Sequence, residues 1–118
     1  MSRHDPLIRF RHMLDFAREA VAMAEGKDIQ ELRENRQLGL AVIHLVELVG
    51  EAASQIPKEI QLQYPQIPWP RVISMRNRLI HGYNYIDYRI LRDTITEDLP
   101  PLISILAEIL SEVSRRGT

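Results

Sequence analysis

The longest apolar pattern in this chain lies in residues 36–54 and has the period of an α-helix. Its apolar residues are spaced alternately three and four positions apart, and a second row widens the same stripe. The first row is Leu38, Ala41, Leu45, Leu48 and Ala52, and the second is Leu40, Ile43 and Val46. Because so wide an apolar face must be covered on several sides, this segment is predicted to be the central helix of a bundle.

Helical patterns also flank the central segment on both sides. Asp5 followed by Pro6 is a helix-start signal, and the apolar spacing after it continues as far as Gly26. Other helices are predicted at residues 29–35 after Asp28, 57–64, 71–80, 88–99 after an N-cap at Asp87, and 101–113. Pro100 and Pro101 are expected to kink or restart the last helix. With no hairpin signal, the sequence predicts an all-α, antiparallel bundle of about five helices.

The composition limits the class of protein. A length of 118 residues predicts one domain over residues 1–118, and the absence of cysteine excludes disulfides and thiolate chemistry. We find no apolar run near the length of a membrane span and no signal peptide in the first ten residues, so we expect a soluble, cytoplasmic protein without membrane contact. A net charge of −1 argues against a broad, nonspecific nucleic-acid surface.

The side chains best suited to chemistry lie in residues 69–88. Arg76, His81 and Tyr83 place a guanidinium, an imidazole and a phenol within eight positions. We expect Arg76 in the middle of a helix, His81 in its last turn, where positive charge is favoured, and Gly82 as the stop. Residues five apart do not share a helix face. Arg76 and His81 therefore meet only if the helix end unwinds or if a second protomer faces the first, which suggests a composite site.

Arginine is concentrated around the same segment. All but two of the fifteen basic residues are arginine, and residues 71–92 hold five arginines but a single acid, Asp87. The planar guanidinium suits phosphate, and Arg71 and Arg78 are the predicted phosphate ligands. For any single arginine, an ion pair with a nearby acid is an equally weighted alternative.

Three polar residues, His44, Glu47 and Glu51, follow one line of the central helix. Their spacing resembles a metal-binding face, but the matching pairs on other helices are absent, so we favour a solvated stripe and no metal site. Glu51 has a second possible role, because an inward carboxylate could hold Arg76 through a bidentate pair. Trp69 is more consistent with a packing anchor than with a base-stacking platform.

The spacing of Arg76, four residues, His81, one residue and Tyr83 resembles the signature of the HEPN superfamily, and more closely the HepT toxins of MNT–HEPN toxin–antitoxin pairs. Three flanking segments are also similar to that family: VGEAA at 49–53, IPW at 67–69 and DLPPL at 98–102. Together they extend the resemblance over essentially the whole chain.

The resemblance implies a small helical homodimer that brings two motifs together in a cleft and cleaves RNA without a metal ion or other cofactor. Arg76 and His81 take the catalytic positions, and Asn77 takes the polar position after the arginine. In HepT-type members the motif tyrosine, here Tyr83, receives AMP groups from a partner nucleotidyltransferase antitoxin. The resemblance therefore implies RNA and that antitoxin as partners.

The chemistry of these residue types agrees with RNA cleavage. An imidazole suits proton transfer from the attacking 2′-OH, and a guanidinium suits the charge on the phosphoryl oxygens. Singly, such a histidine, arginine or tyrosine is more often a cap, an ion-pair partner or a packed side chain. The main alternative function is a non-enzymatic helical dimer that binds a nucleotidyltransferase or a nucleotide through the same cleft. A DNA-binding regulator is weaker, because no recognition helix is evident.

Overall fold

The structure, a computed structural model, describes residues 5–81 and 85–116, and most of them are helical. The helices are α1 (Pro6–Ala24), α2 (Ile29–Glu34), α3 (Arg36–Ser54), α4 (Lys58–Gln63), α5 (Trp69–Ile73), α6 (Met75–Leu79), α7 (Tyr88–Asp93) and α8 (Leu99–Arg116). A π-helical segment, Thr94–Asp98, joins α7 to α8, and strands β1 (Ile80–His81) and β2 (Tyr85–Ile86) form an antiparallel pair. The prediction of an all-α bundle is confirmed.

The predicted helix starts are capped as the sequence indicates. Asp5 accepts a hydrogen bond from the backbone N–H of Leu7 at 2.9 Å. Asp28 and Glu31 form a reciprocal capping box at the start of α2. Asp87 accepts the N–H groups of Arg89 and Ile90 at 3.0 and 3.1 Å. These side chains satisfy backbone donors that the first turn of a helix leaves without partners.

The central position of α3 is also confirmed. It packs mainly against α1, which in turn packs against α8, while α5 and α6 lie against α3. Fully buried Val42, Val46 and Val49 face this core. By length and a mean hydropathy of 1.2, α3 would also pass as a membrane span, contrary to expectation. Half of that stretch is buried in the bundle, where it packs against α1, α5 and α6.

Two glycines let other backbone segments approach α3. A Cβ atom at Gly39 would overlap the carbonyl oxygen of Leu32, at the contact between α2 and α3. A Cβ atom at Gly50 would lie 3.2 Å from the carbonyl oxygen of Val72 in α5. These two small residues of α3 therefore set its distance from both neighbouring helices.

The helix predicted over residues 71–80 is divided and shorter than expected. Ser74, at φ −86° and ψ 1°, interrupts it, and α6 ends at Leu79. Ile80 is extended, at φ −109° and ψ 117°, and pairs with Ile86. His81 therefore lies in a strand and not in the last turn of a helix, so the argument from helix-end charge does not apply to it.

The paired prolines lie in the first turn of α8, which begins at Leu99, so the predicted restart is observed as a change from π-helical to α-helical geometry. The π-helical segment directly precedes them, and the N–H of Leu99 donates to the carbonyl of Thr94, five residues back. A proline in a helix removes a hydrogen bond and crowds the carbonyl four residues before it. The wider π turn accommodates Pro100 and Pro101 without interrupting the chain of helices from Tyr88 to Arg116.

Candidate active site

Strands β1 and β2 fix the position of His81. His81 pairs with Tyr85 across the two strands, and the centres of their rings are 5.9 Å apart at an interplanar angle of 48°. Both side chains are exposed. Gly82 and Tyr83, for which a helix stop and an AMP-acceptor role were predicted, lie outside the described residues. The imidazole is thus accessible to a ligand and rests beside one aromatic ring.

Arg76 lies on α6 and is held by a carboxylate of the central helix. Its Nε donates to Oε2 of Glu47 at 3.1 Å, and 56% of its side chain is exposed. Within the described residues this is the one hydrogen bond of its side chain, and its two terminal nitrogens have no partner there. A guanidinium held through Nε leaves the edge formed by those nitrogens free for a phosphate.

The predicted pair between Arg76 and Glu51 is wrong. Glu51 instead accepts a hydrogen bond from the side-chain amide of Gln55 at 3.2 Å. Glu47 lies one helical turn earlier on the same face of α3, and α6 places Arg76 opposite that turn. The signal was present in the sequence, because Glu47 belongs to the stripe that was considered, but the register between two helices decides which glutamate meets the arginine.

Asn77 and the polar stripe of α3 complete the surroundings. Asn77 is exposed next to Arg76, and its side chain makes no hydrogen bond within the described part of the chain. His44 is also exposed, while Glu47 and Glu51 are engaged as described above. Across residues 5–81 and 85–116, no group of three metal-binding side chains lies close enough to hold an ion.

The two predicted phosphate ligands outside the motif are both bound to Asp98. Arg71 donates from Nε to Asp98 at 2.9 Å, and a terminal nitrogen of Arg78 lies 3.5 Å from the other carboxylate oxygen. The hydrogen bond to Asp98, and then its charge, raise the pKa of the Arg71 guanidinium above its already high value. Nε of Arg78 is buried without a hydrogen-bond partner among the described residues. The ion-pair alternative thus describes both arginines, and their role toward phosphate stays a prediction.

Comparison with known proteins assigns the chain to a family. The family model described as Ribonuclease HepT-like matches residues 13–109. The chain therefore belongs to the HepT-like ribonuclease family, which confirms the resemblance seen in the sequence.

Individual relatives agree with this assignment. "Putative RNase MJ1380" from Methanocaldococcus jannaschii is 31% identical over 102 residues, which cover 86% of this chain and 94% of the relative. "Probable ribonuclease HepT" from Thermococcus cleftensis is 40% identical over 68 residues, which cover 58% of this chain and 62% of the relative. No solved structure gives a significant match to the chain.

Proposed function

We propose that this protein is a metal-independent endoribonuclease, acting as a cytoplasmic homodimer and as the toxin of a toxin–antitoxin pair. The proposal is supported by the family match over residues 13–109 and by the ribonuclease names of its relatives. The observation that carries it is the joint exposure of Arg76 and His81, one on a helix and the other on the strand that follows. Both side chains are open to a polynucleotide.

The proposed reaction is transfer of the phosphodiester to the neighbouring 2′-OH. One His81 imidazole takes the proton of that hydroxyl as its oxygen attacks phosphorus. A second, protonated imidazole gives a proton to the departing 5′-oxygen, leaving a 2′,3′-cyclic phosphate and a free 5′-OH. The terminal nitrogens of Arg76 donate to the phosphoryl oxygens, where negative charge builds up. A homodimer supplies two copies of each residue, so the acid and the base are separate groups.

Glu47 holds Arg76 in position in this arrangement. Its contact at 3.1 Å fixes the Nε side of Arg76 and turns the opposite edge outward. Asn77, next in the chain and exposed, is placed to donate to the same phosphate or to a ribose hydroxyl. Glu47 is thus a positioning residue, and Asn77 a supporting one, for a site centred on Arg76 and His81.

Neutralisation is proposed to occur at Tyr83. The family resemblance makes its phenol the acceptor of AMP from a nucleotidyltransferase antitoxin, with the phenolic oxygen displacing pyrophosphate from ATP. Each added AMP brings negative charge and bulk two residues from His81, which opposes RNA binding by repulsion and by steric exclusion. Mass spectrometry of the protein co-expressed with such an enzyme tests this step, and a Tyr83→Phe variant that still gains AMP contradicts the site.

The catalytic assignment is tested with His81→Ala and Arg76→Ala. Each is expected to lower cleavage of single-stranded RNA by about 100-fold or more in the presence of EDTA, because each removes a group that acts in the transition state. Arg11→Ala, which removes an exposed arginine of α1, is the matched control and is expected to leave cleavage unchanged. If both active-site variants cut RNA and arrest growth as the parent does, the ribonuclease assignment fails.

A non-enzymatic dimer is the second candidate. Its specific support is the Glu47 carboxylate, which compensates the charge of Arg76 and reduces its attraction for phosphate. In that case the purified protein binds a nucleotidyltransferase or a nucleotide but does not cut RNA, and Tyr83 serves only as the acceptor of AMP. The cleavage assay separates the two functions.

A further inference from the structure

A cleft of about 740 Å³ opens beside β2, next to the candidate active site. Its walls come from α2, α3, β2 and α7, and they carry three arginines and two tyrosines: Arg33, Arg36, Arg89, Tyr85 and Tyr88. We refer to it as the arginine cleft. Its volume lies within the range of about 300–1,000 Å³ typical of clefts that hold small ligands.

The arginines of the arginine cleft outnumber the acids on its walls. None of its three arginines has a carboxylate partner within the part of the chain that the structure describes. Asp87 is the one acid on its walls, and an oxygen of Asp87 is already occupied by the backbone N–H groups of Arg89 and Ile90. An excess of guanidinium groups around an open cleft favours a ligand with phosphate groups.

The two tyrosines have different surroundings. Arg33 lies over the Tyr88 ring, 5.3 Å from its centre, so one face of that ring is already covered. Tyr85 is 61% exposed, which makes it one of the few large apolar side chains left open to solvent. Leu40, 49% exposed, is another and lines the same cleft. An open aromatic ring and an open aliphatic side chain form a surface on which a base can stack.

Tyr85 also connects the cleft to the catalytic histidine. It lies directly opposite His81 in the strand pair, with the two rings 5.9 Å apart. A base that stacks on Tyr85 would therefore be attached to a phosphate close to the imidazole. The Tyr85 side chain borders both sites, so a single strand of RNA can extend from one site into the other.

We infer that the arginine cleft is an RNA subsite, in which Tyr85 stacks a base next to the scissile phosphate while Arg36 and Arg89 bind the phosphates that follow. The inference rests on the proposed function and adds to it a site that selects single-stranded RNA. A base in a duplex is not available to stack on Tyr85. Arg33 keeps its place over Tyr88 and supports the wall of the cleft.

The test measures binding of a short single-stranded RNA in which 2′-O-methyl groups prevent cleavage. Fluorescence anisotropy is recorded at several salt concentrations for the parent, Arg36→Ala with Arg89→Ala, Tyr85→Ala and Tyr85→Phe. The double arginine variant is expected to bind at least about 10-fold more weakly and to reduce the salt slope by about 1.4, since each phosphate contact contributes about 0.7 for single strands. The charge-matched control is Arg11→Ala with Arg18→Ala on α1, a helix that does not line the cleft.

The tyrosine variants test the stacking surface separately. Tyr85→Ala is expected to weaken binding about 5- to 100-fold, and Tyr85→Phe is expected to bind as the parent does, because stacking needs the ring and not the hydroxyl. Duplex RNA of the same length should bind to the parent and to both tyrosine variants with similar affinity.

Cleavage of an unmodified RNA tests the arginines kinetically. The double arginine variant should have a higher KM and an unchanged kcat.

Two results overturn the subsite, and they differ from failure of the proposed function. If the parent cleaves RNA but all cleft variants bind and cleave as it does, the subsite is wrong and the nuclease stands. If these variants bind RNA normally but no longer join a nucleotidyltransferase partner, the cleft is a protein-docking surface. A parent that neither binds nor cuts RNA removes the proposed function together with the subsite.

Discussion

Two groups of arginines in this molecule have different electrostatic surroundings. Arg71 and Arg78 share Asp98 at the junction of α5, α6 and the π-helical segment. Arg36 and Arg89 border an open cleft and have no carboxylate partner among the described residues. The comparison teaches that an excess of arginine in sequence does not locate a phosphate site, because a single acid from a distant segment can pair with two of its members.

Arg76 is intermediate between the two groups. Its Nε is held by Glu47, as in the Asp98 cluster, but its outer edge is open, as in the arginine cleft. A guanidinium that is both fixed and accessible is suited to a developing charge, since it needs no reorganisation when the charge appears. A carboxylate can therefore either position an arginine for catalysis or occupy it in an ion pair.

The largest effect among tests of this comparison is expected for Glu47→Gln. It removes the charge that orients Arg76 and should lower kcat about 10- to 100-fold with little change in KM, because misplacement acts mainly on the transition state. Glu51→Gln is the matched control, one turn along the same helix, and should leave both constants unchanged. Steady-state cleavage assays measure both.

Equal losses in the two glutamate variants would contradict the role of Glu47. A rise in kcat for Glu47→Gln would show that the carboxylate mainly reduces the electrostatic attraction of Arg76 for phosphate. Glu47→Asp retains the charge but shortens the reach, and we expect it to lie between Glu47→Gln and the parent. These outcomes decide whether the contact positions the arginine or only neutralises it.

The next effect is on folding and concerns the Asp98 cluster. Asp98→Asn should lower the free energy of unfolding by about 1–3 kcal/mol, because it leaves the half-buried guanidinium of Arg78 without its charged partner. Arg78→Met should cost less, since it also removes an Nε that is buried without a hydrogen bond. Urea denaturation measures both. Equal costs for the two variants would mean that the pair itself, and not the unpaired charge, accounts for the stability.

The sequence was sufficient for elements whose signals are local. The caps at Asp5, Asp28 and Asp87 depend on a side chain and the backbone within three residues, so they could be predicted. Trp69 was correctly assigned to packing, with 7% of the residue exposed and its Nε1 donating to two carbonyls at 3.0 Å. The helical spacing of its apolar residues likewise predicted that α3 is the central helix.

The sequence was insufficient where two segments meet in space. The choice of Glu47 over Glu51 depends on how α6 is placed along α3, which no local pattern encodes. The strand containing His81 is too short to show alternation, and its pairing partner lies beyond residues 82–84. The arginine cleft combines α2, α3, β2 and α7, so its members are scattered in the sequence.

A smaller effect is expected for substitution of the two glycines at which α3 contacts the helices next to the two arginine groups. Gly39→Ala forces α2 away from α3 and should disturb Arg33 and Arg36 together, whereas Gly50→Ala acts at α5, which carries Arg71. We expect a cost of about 1–2 kcal/mol for Gly39→Ala, because overpacking against backbone exceeds the gain in helix propensity. Gly50→Ala, with a contact that needs only a slight shift, should cost about half as much. Thermal unfolding measures the costs, and RNA binding should fall only for Gly39→Ala.

The smallest effect is expected for Arg71→Ala, and it tests the comparison most directly. Arg71 is more exposed than Arg78, so its contact with Asp98 is strongly screened by water and contributes little to stability. Its raised pKa means that, as pH rises, any contribution persists through neutral pH and would be lost at strongly alkaline pH, where the folded-state guanidinium would release its proton. RNA affinity should equal that of the parent, while Arg36→Ala alone lowers it. If Arg71→Ala weakens RNA binding as much as Arg36→Ala does, a carboxylate partner does not remove an arginine from phosphate recognition, and the distinction between the two groups fails.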